Sequence, residues 1–212
     1  MSCSNGHDIS GFAWTDADAT TAHDYLFPAI RQLLGELELP SPRKRLLDIG
    51  CGNGSLTARV HELGWSVIGI DPSDQGIAQA RRRHPALDFR QMSAYEDLRA
   101  RLGTFPVAIS LEVVEHLYAP RDYVARVFDS LEDRGTFILS TPYHGYWKNL
   151  ALALSGRLDR HFTALWDHGH IKFWSVATIR QLLEERGFTI ERVLRVGRLP
   201  ALAKSMLIVA KK

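Results

Sequence analysis

The stretch Leu46-Leu47-Asp48-Ile49-Gly50-Cys51-Gly52-Asn53-Gly54-Ser55-Leu56 joins a short apolar run to a glycine-rich turn and then to a helical pattern. Glycine there permits a tight turn and lets a ligand approach the backbone, at the carboxyl edge of a strand where open α/β sheets bind ligands. Such a turn also suits a purely structural bend, so its surroundings decide. The spacing is G-x-G-x-G and not the dinucleotide pattern G-x-G-x-x-G, and Asp48 stands just ahead of Gly50. A phosphate would be a poor neighbour for that carboxylate. The next apolar run, Ser66–Ile70, ends at Asp71, where an acid can accept hydrogen bonds from both hydroxyls of a ribose. A nucleoside without a pyrophosphate fits both facts.

Outward from this point, apolar runs at Leu46–Ile49, Ser66–Ile70, Leu87–Arg90, Val107–Ser110 and Thr136–Ser140 alternate with helical patterns. Those patterns cover Ser55–Leu63, Asp74–Arg83, Tyr95–Arg101 and Pro120–Leu131, which predicts βαβ units and a doubly wound, mostly parallel sheet. After Ser140 the alternation stops. A long excursion, Thr141–His170, precedes a helix at Val176–Arg186 and two closing strands near Phe188–Val196 and Ser205–Ala210. Ahead of the first strand, Asp16–Leu39 reads as one or two helices punctuated by Pro28.

The chain has 212 residues, enough for one domain with a sizeable core. Its composition, 45% hydrophobic and 24% charged with a net charge of +2, is ordinary for a globular protein and gives no support to an extended nucleic-acid footprint. The two cysteines, Cys3 and Cys51, form neither a disulfide framework nor a metal spacing. With no basic-then-apolar leader and no run of bilayer-crossing length, a cytoplasmic location is expected.

From about Leu46 onward the sequence resembles the class I S-adenosylmethionine-dependent methyltransferases: LLDIGCGNGSL is similar to their first motif and VIGIDPS to their second. The resemblance implies a Rossmann-like α/β fold. It has a seven-stranded, mostly parallel sheet with helices on both faces, N-terminal cap helices and an insertion before the sixth strand. It divides a single domain, 1–212, into cap helices (1–44), a cofactor-binding core (45–140), a substrate-side insertion (141–172) and the rest of the sheet (173–212). Asp48, Gly50, Cys51, Gly52, Asn53 and Gly54 then hold the methionine part of the cofactor. Asp71 takes the ribose, with Pro72 and Ser73 beside it. Met92 and Ser93 border the adenine, and Leu111 lines the pocket. Ser93 stands where the family often places an aspartate beside the adenine amine.

The fourth strand runs into Leu111-Glu112-Val113-Val114-Glu115-His116. If a helical turn begins here, Glu112, Glu115 and His116 share one face, and two carboxylates with an imidazole can bind a divalent cation. Local packing of the histidine is the alternative. Downstream stands His168-Gly169-His170-Ile171-Lys172-Phe173-Trp174-Ser175, with Ser175 as an N-cap for the following helix. A glutamate pair with a following histidine, then a later histidine before Trp-Ser, is similar to the metal-dependent small-RNA terminal 2′-O-methyltransferases. There the residues matching Glu112, Glu115, His116 and His170 hold the metal. The E-x-x-E-H part is also similar to the ubiquinone-biosynthesis O-methyltransferases, the group this chain resembles most. Magnesium suits the carboxylates, whereas two imidazoles also suit manganese, iron or zinc.

Within the excursion, Tyr146–Leu154 reads as a mostly apolar helix relieved by Lys148 and Asn149. It is either a cover completing the core, or a substrate lid or membrane-docking patch across 143–166. In the docking case Trp147, Leu150 and Leu154 face lipid, and Lys148, Arg157 and Arg160 face headgroups. His23 and His144 suit structural roles, and His61 and His84 are expected to face solvent. By analogy with the family, Trp14 and Tyr25 could fold over the cofactor. The expected activity is O-methylation of a small catechol, hydroxyquinone or vicinal diol, with His116, His144 or His170 as proton acceptor. The alternatives are a metal-free N-, C- or carboxyl methyltransferase, an RNA-terminal 2′-O-methyltransferase, and a cofactor-binding protein without catalysis.

Overall fold

The computed structural model describes residues 21–162, 164–166 and 169–212. Its centre is a seven-stranded sheet in the order β3-β2-β1-β4-β5-β7-β6. The strands are β1 (Arg45–Ile49), β2 (Ser66–Asp71), β3 (Asp88–Gln91), β4 (Phe105–Leu111), β5 (Leu131–Pro142), β6 (Thr189–Val196) and β7 (Ser205–Lys211). Strands β1 to β5 pair in parallel, and β7 runs antiparallel to both β5 and β6. The helices are α1 (Thr21–Gly35), α2 (Ser55–Glu62), α3 (Asp74–Arg83), α4 (Leu98–Leu102), α5 (Pro120–Ser130), α6 (Tyr146–Leu154), α7 (Leu158–Phe162) and α8 (Val176–Arg186).

Alternation along the strands divides the core between the two faces of the sheet. Leu46, Ile109 and Ile138 pack with Leu26, Ile30 and Leu33 of α1 and with Leu56 and Val60 of α2. Their neighbours Leu47, Ala108, Phe137 and Leu139 point the other way, onto Tyr123, Val124 and Val127 of α5 and Ile179 and Leu183 of α8. A strand buried on both faces reads as a continuous apolar run, which is how β1, β4 and β5 look in the sequence.

Several boundaries differ from expectation. Pro28 lies inside α1 and does not end it. A proline within a helix removes one backbone hydrogen bond, at about 3 kcal/mol, and here Leu26 on one side and Ile30, Leu33 and Leu34 on the other are all buried. That burial, at roughly 1.5–3 kcal/mol per side chain, outweighs the loss. Residues 16–20 of the expected helix lie outside the described residues, as do Trp14 and His168. Helix α4 starts at Leu98 and not at Tyr95, because Asp97 caps it by accepting from the Ala100 N–H at 3.0 Å. Ser175 caps α8 through a reciprocal capping box with Thr178. His84 is half-buried, and His61, though exposed, lies with Nδ1 2.9 Å from the Trp65 carbonyl. Helix α6 contains no buried residue, so it does not complete the core. Among the described residues no helix is long and apolar enough to cross a membrane.

Candidate functional site

Strand order reverses between β1 and β4, which opens a crevice at their carboxyl ends. The glycine turn fills one side of it. The Gly50 and Cys51 N–H groups donate to the Ile70 carbonyl at 2.8 and 3.0 Å, and the Gly54 N–H donates to the Cys51 carbonyl at 2.9 Å. Gly54 has φ +76°, and a Cβ there would stand 2.6 Å from the Phe89 ring, so both the backbone angle and the space require glycine. Asp71 fixes the turn from the neighbouring strand. Its Oδ2 accepts from the Gly52 N–H at 2.9 Å and its Oδ1 from the Ser73 N–H at 2.8 Å.

Asp48 is buried and accepts from the Thr57 hydroxyl at 2.6 Å, while burial pushes its carboxyl up to about 7. The Asn53 side chain caps the same turn by accepting from the Ser55 N–H at 3.2 Å. Cys51 is buried, and burial pushes its thiol up, so it acts as a packing residue. Met92 and Leu111 are buried beyond β3 and at the end of β4. The Ser93 N–H donates to Glu96 Oε1 at 2.8 Å, which places a carboxylate three positions beyond the serine.

Across the crevice lie the acids and histidines. Glu115 and His116 belong to a short 3-10 turn, Val114–His116, directly after β4. The Ile171 and Lys172 N–H groups both donate to the Glu115 carbonyl, at 2.9 and 3.0 Å, and this brings the His170 segment onto the turn. The His116 and His170 rings are 4.9 Å apart, and one ligand atom each from Glu115, His116 and His170 lies within 4.8 Å of the others. Glu112 does not join them. Its backbone takes the left-handed conformation, φ +57°, so it precedes the helical turn and the one-face spacing does not apply to it. Its carboxylate instead accepts from the Ser140 hydroxyl at 2.7 Å and the Ser205 hydroxyl at 3.1 Å. Tyr25 of α1 reaches the same network, its hydroxyl 2.9 Å from Ser205 Oγ.

The electrostatics of this side are unbalanced. Burial pushes Glu112 up to about 7, and burial together with Glu112 pushes Glu115 well above the usual carboxylate range. Burial and the neighbouring histidines hold His170 down at about 4, so it is neutral near pH 7. Glu115 Oε2 accepts from the Thr141 hydroxyl at 3.0 Å, whereas its buried Oε1 has no hydrogen-bond partner and lies 4.0 Å from His170 Nε2. His116 Nδ1 lies 3.2 Å from the Gly169 carbonyl, which can only accept, so Nδ1 carries the N–H of that contact. One carboxyl oxygen without a hydrogen-bond partner and two imidazoles make a donor set that fits a divalent cation.

His144 is buried after β5, close to His161 of α7, and both lie near enough to His170 to add to the lowering of its pKa. His23 Nδ1 lies 2.9 Å from Ser55 Oγ, next to the glycine turn. Ser140, Thr141 and Ser205, which hold the two glutamates, and His161 were not indicated by any sequence pattern.

Comparison with known proteins gives the family and the fold. Residues 20–193 match the family described as methyltransferase domain. The ubiquinone biosynthesis O-methyltransferase of Bradyrhizobium diazoefficiens is 38% identical over 117 residues, covering 53% of this chain and 45% of that protein. The mitochondrial ubiquinone biosynthesis O-methyltransferase of Bos taurus is 30% identical over 188 residues, covering 81% of this chain and 50% of that protein. The chain thus spans about half the length of the curated relatives it matches. An S-adenosylmethionine-dependent methyltransferase from Mesorhizobium loti superposes with a TM-score of 0.65 at 23% identity, over 88% of this chain and 97% of that one. Magnesium protoporphyrin IX methyltransferase from Synechocystis with bound S-adenosylhomocysteine gives 0.64 at 18% identity, over 96% and 91%. The chain belongs to the methyltransferase-domain family and has the fold of the S-adenosylmethionine-dependent methyltransferases.

Proposed function

We propose that the protein transfers the methyl group of S-adenosylmethionine to a hydroxyl oxygen of a small acceptor, such as a catechol, hydroxyquinone or vicinal diol, and that Glu115, His116 and His170 hold a divalent cation. The observation that carries this reading is the bare, buried Glu115 Oε1 facing two imidazoles at the carboxyl edge of β4. The Asp48–Gly54 turn and Asp71 hold the cofactor, with Pro72, Ser73, Met92, Ser93 and Leu111 around its nucleoside. Methyl transfer breaks the sulfonium S–C bond as the O–C bond forms, so these residues act mainly by aligning the partners and excluding water. A cation held by Glu115, His116 and His170 would supply Lewis acidity that lowers the pKa of the acceptor hydroxyl. With His116 and His170 engaged as ligands, the proton of the acceptor hydroxyl passes to solvent water as the oxygen is methylated. A panel of catechols, hydroxyquinones and vicinal diols, assayed for S-adenosylhomocysteine with magnesium or manganese, should give turnover on at least one class. Turnover only on amines or carboxylates, unaffected by chelation, would refute the proposal.

A peripheral membrane contact through 143–166 has its own support. Tyr146, Trp147 and Leu154 of α6 are exposed, as are Leu199 and Leu202 around the turn packed against that helix. The exposed Arg157, Arg160 and Arg198 accompany them, whereas Lys148 is half-buried and donates to the Tyr143 carbonyl rather than facing headgroups. Trp147→Ala with Leu150→Ala should reduce co-sedimentation with anionic vesicles several-fold while S-adenosylmethionine affinity stays unchanged. A fall in thermal stability without loss of vesicle binding would instead indicate a packing role.

A further inference from the structure

The excursion returns to the sheet edge through Trp166, Gly169 and His170, and this segment is fastened to the turn that carries Glu115 and His116. The Gly169 N–H donates to the Trp166 carbonyl at 3.0 Å, and the Gly169 carbonyl faces His116 Nδ1 at 3.2 Å. The Ile171 and Lys172 N–H groups hold the Glu115 carbonyl just beyond. The indole of Trp166 lies against both imidazoles at once. Its ring centroid is 5.7 Å from that of His116 with the planes 83° apart, and 5.3 Å from that of His170 at 57°. The two imidazoles meet each other at 4.9 Å and 73°. Three rings therefore close a triangle in which none can turn without displacing a neighbour.

Two observations set Trp166 apart from ordinary packing. It is 37% exposed, so burial in the apolar core does not account for a side chain of this size beside two histidines. Gly169 is also fitted to it. A Cβ at Gly169 would stand 2.8 and 2.9 Å from Cε3 and Cδ2 of the indole and 2.9 Å from the Trp166 carbonyl oxygen, so glycine is what leaves the ring on the histidines. The last torsion of a histidine is broad and roughly two-fold, and the direction of its nitrogen lone pair is set by what the ring touches.

Given a cation held by Glu115, His116 and His170 as proposed above, we infer that Trp166 is its positioning residue. The indole fixes the planes of both imidazoles so that one nitrogen of each converges with the Glu115 carboxylate. Trp166 offers no ligand atom and acts through the two histidines. Groups that orient metal-binding histidines in this way typically contribute about tenfold to a hundredfold to metal affinity. A phenyl ring at position 166 still presents an aromatic edge and face to the imidazoles, whereas a methyl group leaves both free to rotate.

The test is manganese binding to the whole chain loaded with S-adenosylhomocysteine, followed by the paramagnetic resonance signal of the free ion. Trp166→Ala should weaken manganese binding about tenfold to a hundredfold, and Trp166→Phe should keep most of the wild-type affinity. Gly169→Ala should weaken it in the same direction, by pushing the indole off the imidazoles. Bound manganese should quench tryptophan fluorescence in the wild type and much less in Trp166→Phe, because the quenched indole lies beside the ion. S-adenosylhomocysteine affinity should be unchanged in all three variants. Equal manganese affinity in wild type and Trp166→Ala overturns the positioning role and leaves the cation site standing. A loss as large in Trp166→Phe as in Trp166→Ala, quenching unaltered by Trp166→Phe, or a parallel loss of S-adenosylhomocysteine binding also overturns it. No manganese binding to the wild type refutes the cation site itself, and the positioning role with it, so the two failures are told apart.

Discussion

Replacing Asp71 by alanine should weaken S-adenosylmethionine binding by about a hundredfold or more. Two hydrogen bonds from ribose hydroxyls to a carboxylate contribute about 1.5–3 kcal/mol each, and about 1.4 kcal/mol is a factor of ten in affinity. The side chain also organises the backbone around it. It accepts from the Gly52 N–H in the glycine turn and from the Ser73 N–H at the start of α3, so both segments lose an anchor with it. Ser73 in turn caps α3 by accepting from the Gly76 N–H at 2.9 Å. Asp71→Asn should fall between wild type and alanine, because an amide oxygen can replace only one of the two acceptor oxygens. Calorimetric titration of both variants checks this, and an unchanged dissociation constant in Asp71→Ala would contradict the assignment of the ribose to this residue.

What could be read from the sequence was whatever depends on neighbours along the chain. The βα alternation, the glycine turn, the acid ending β2 and the N-cap at Ser175 are local patterns with local physical causes, and each stands in the structure where its residues predict it. The failures are tertiary. Pro28 looked like a break because the burial of Leu26, Ile30 and Leu33 that holds α1 together is set by strands far along the chain. Glu112 looked like a third residue on a helical face. The chain leaves β4 through a left-handed residue, which is read as helix by spacing alone, and the hydroxyls that take its carboxylate come from Ser140 and Ser205. The approach of His170 to Glu115 was legible through a family pattern, whereas the pairing of His144 with His161 has no spacing signal, because the fold of the excursion creates it.

Replacing Glu115 by glutamine should cut metal-stimulated methylation by at least about a hundredfold in kcat/KM, on the order of 3 kcal/mol of lost polarisation of the acceptor oxygen. The same change should leave S-adenosylmethionine affinity intact, since the glycine turn and Asp71 lie across the crevice. Stability distinguishes this result from simple damage. Burial and Glu112 push the Glu115 carboxyl strongly towards its neutral form, so folding near neutral pH costs the uptake of a proton there; an isosteric amide is neutral from the start, escapes that cost and can still meet the Thr141 hydroxyl. The Glu115 main-chain carbonyl goes on holding Ile171 and Lys172 in either variant. Thermal stability of metal-free Glu115→Gln should therefore equal or exceed that of wild type while activity collapses, the combination expected of a residue kept for chemistry at a cost to the fold. His170→Ala should show the same loss of metal stimulation through its imidazole. Activity, equilibrium binding of manganese and melting temperature, measured on the same preparations, decide the matter. If Glu115→Gln retained full turnover under saturating metal, or if exhaustive chelation left wild-type turnover of its acceptor unchanged, Glu115 and His170 would be packing residues and the cation would have no place in the reaction.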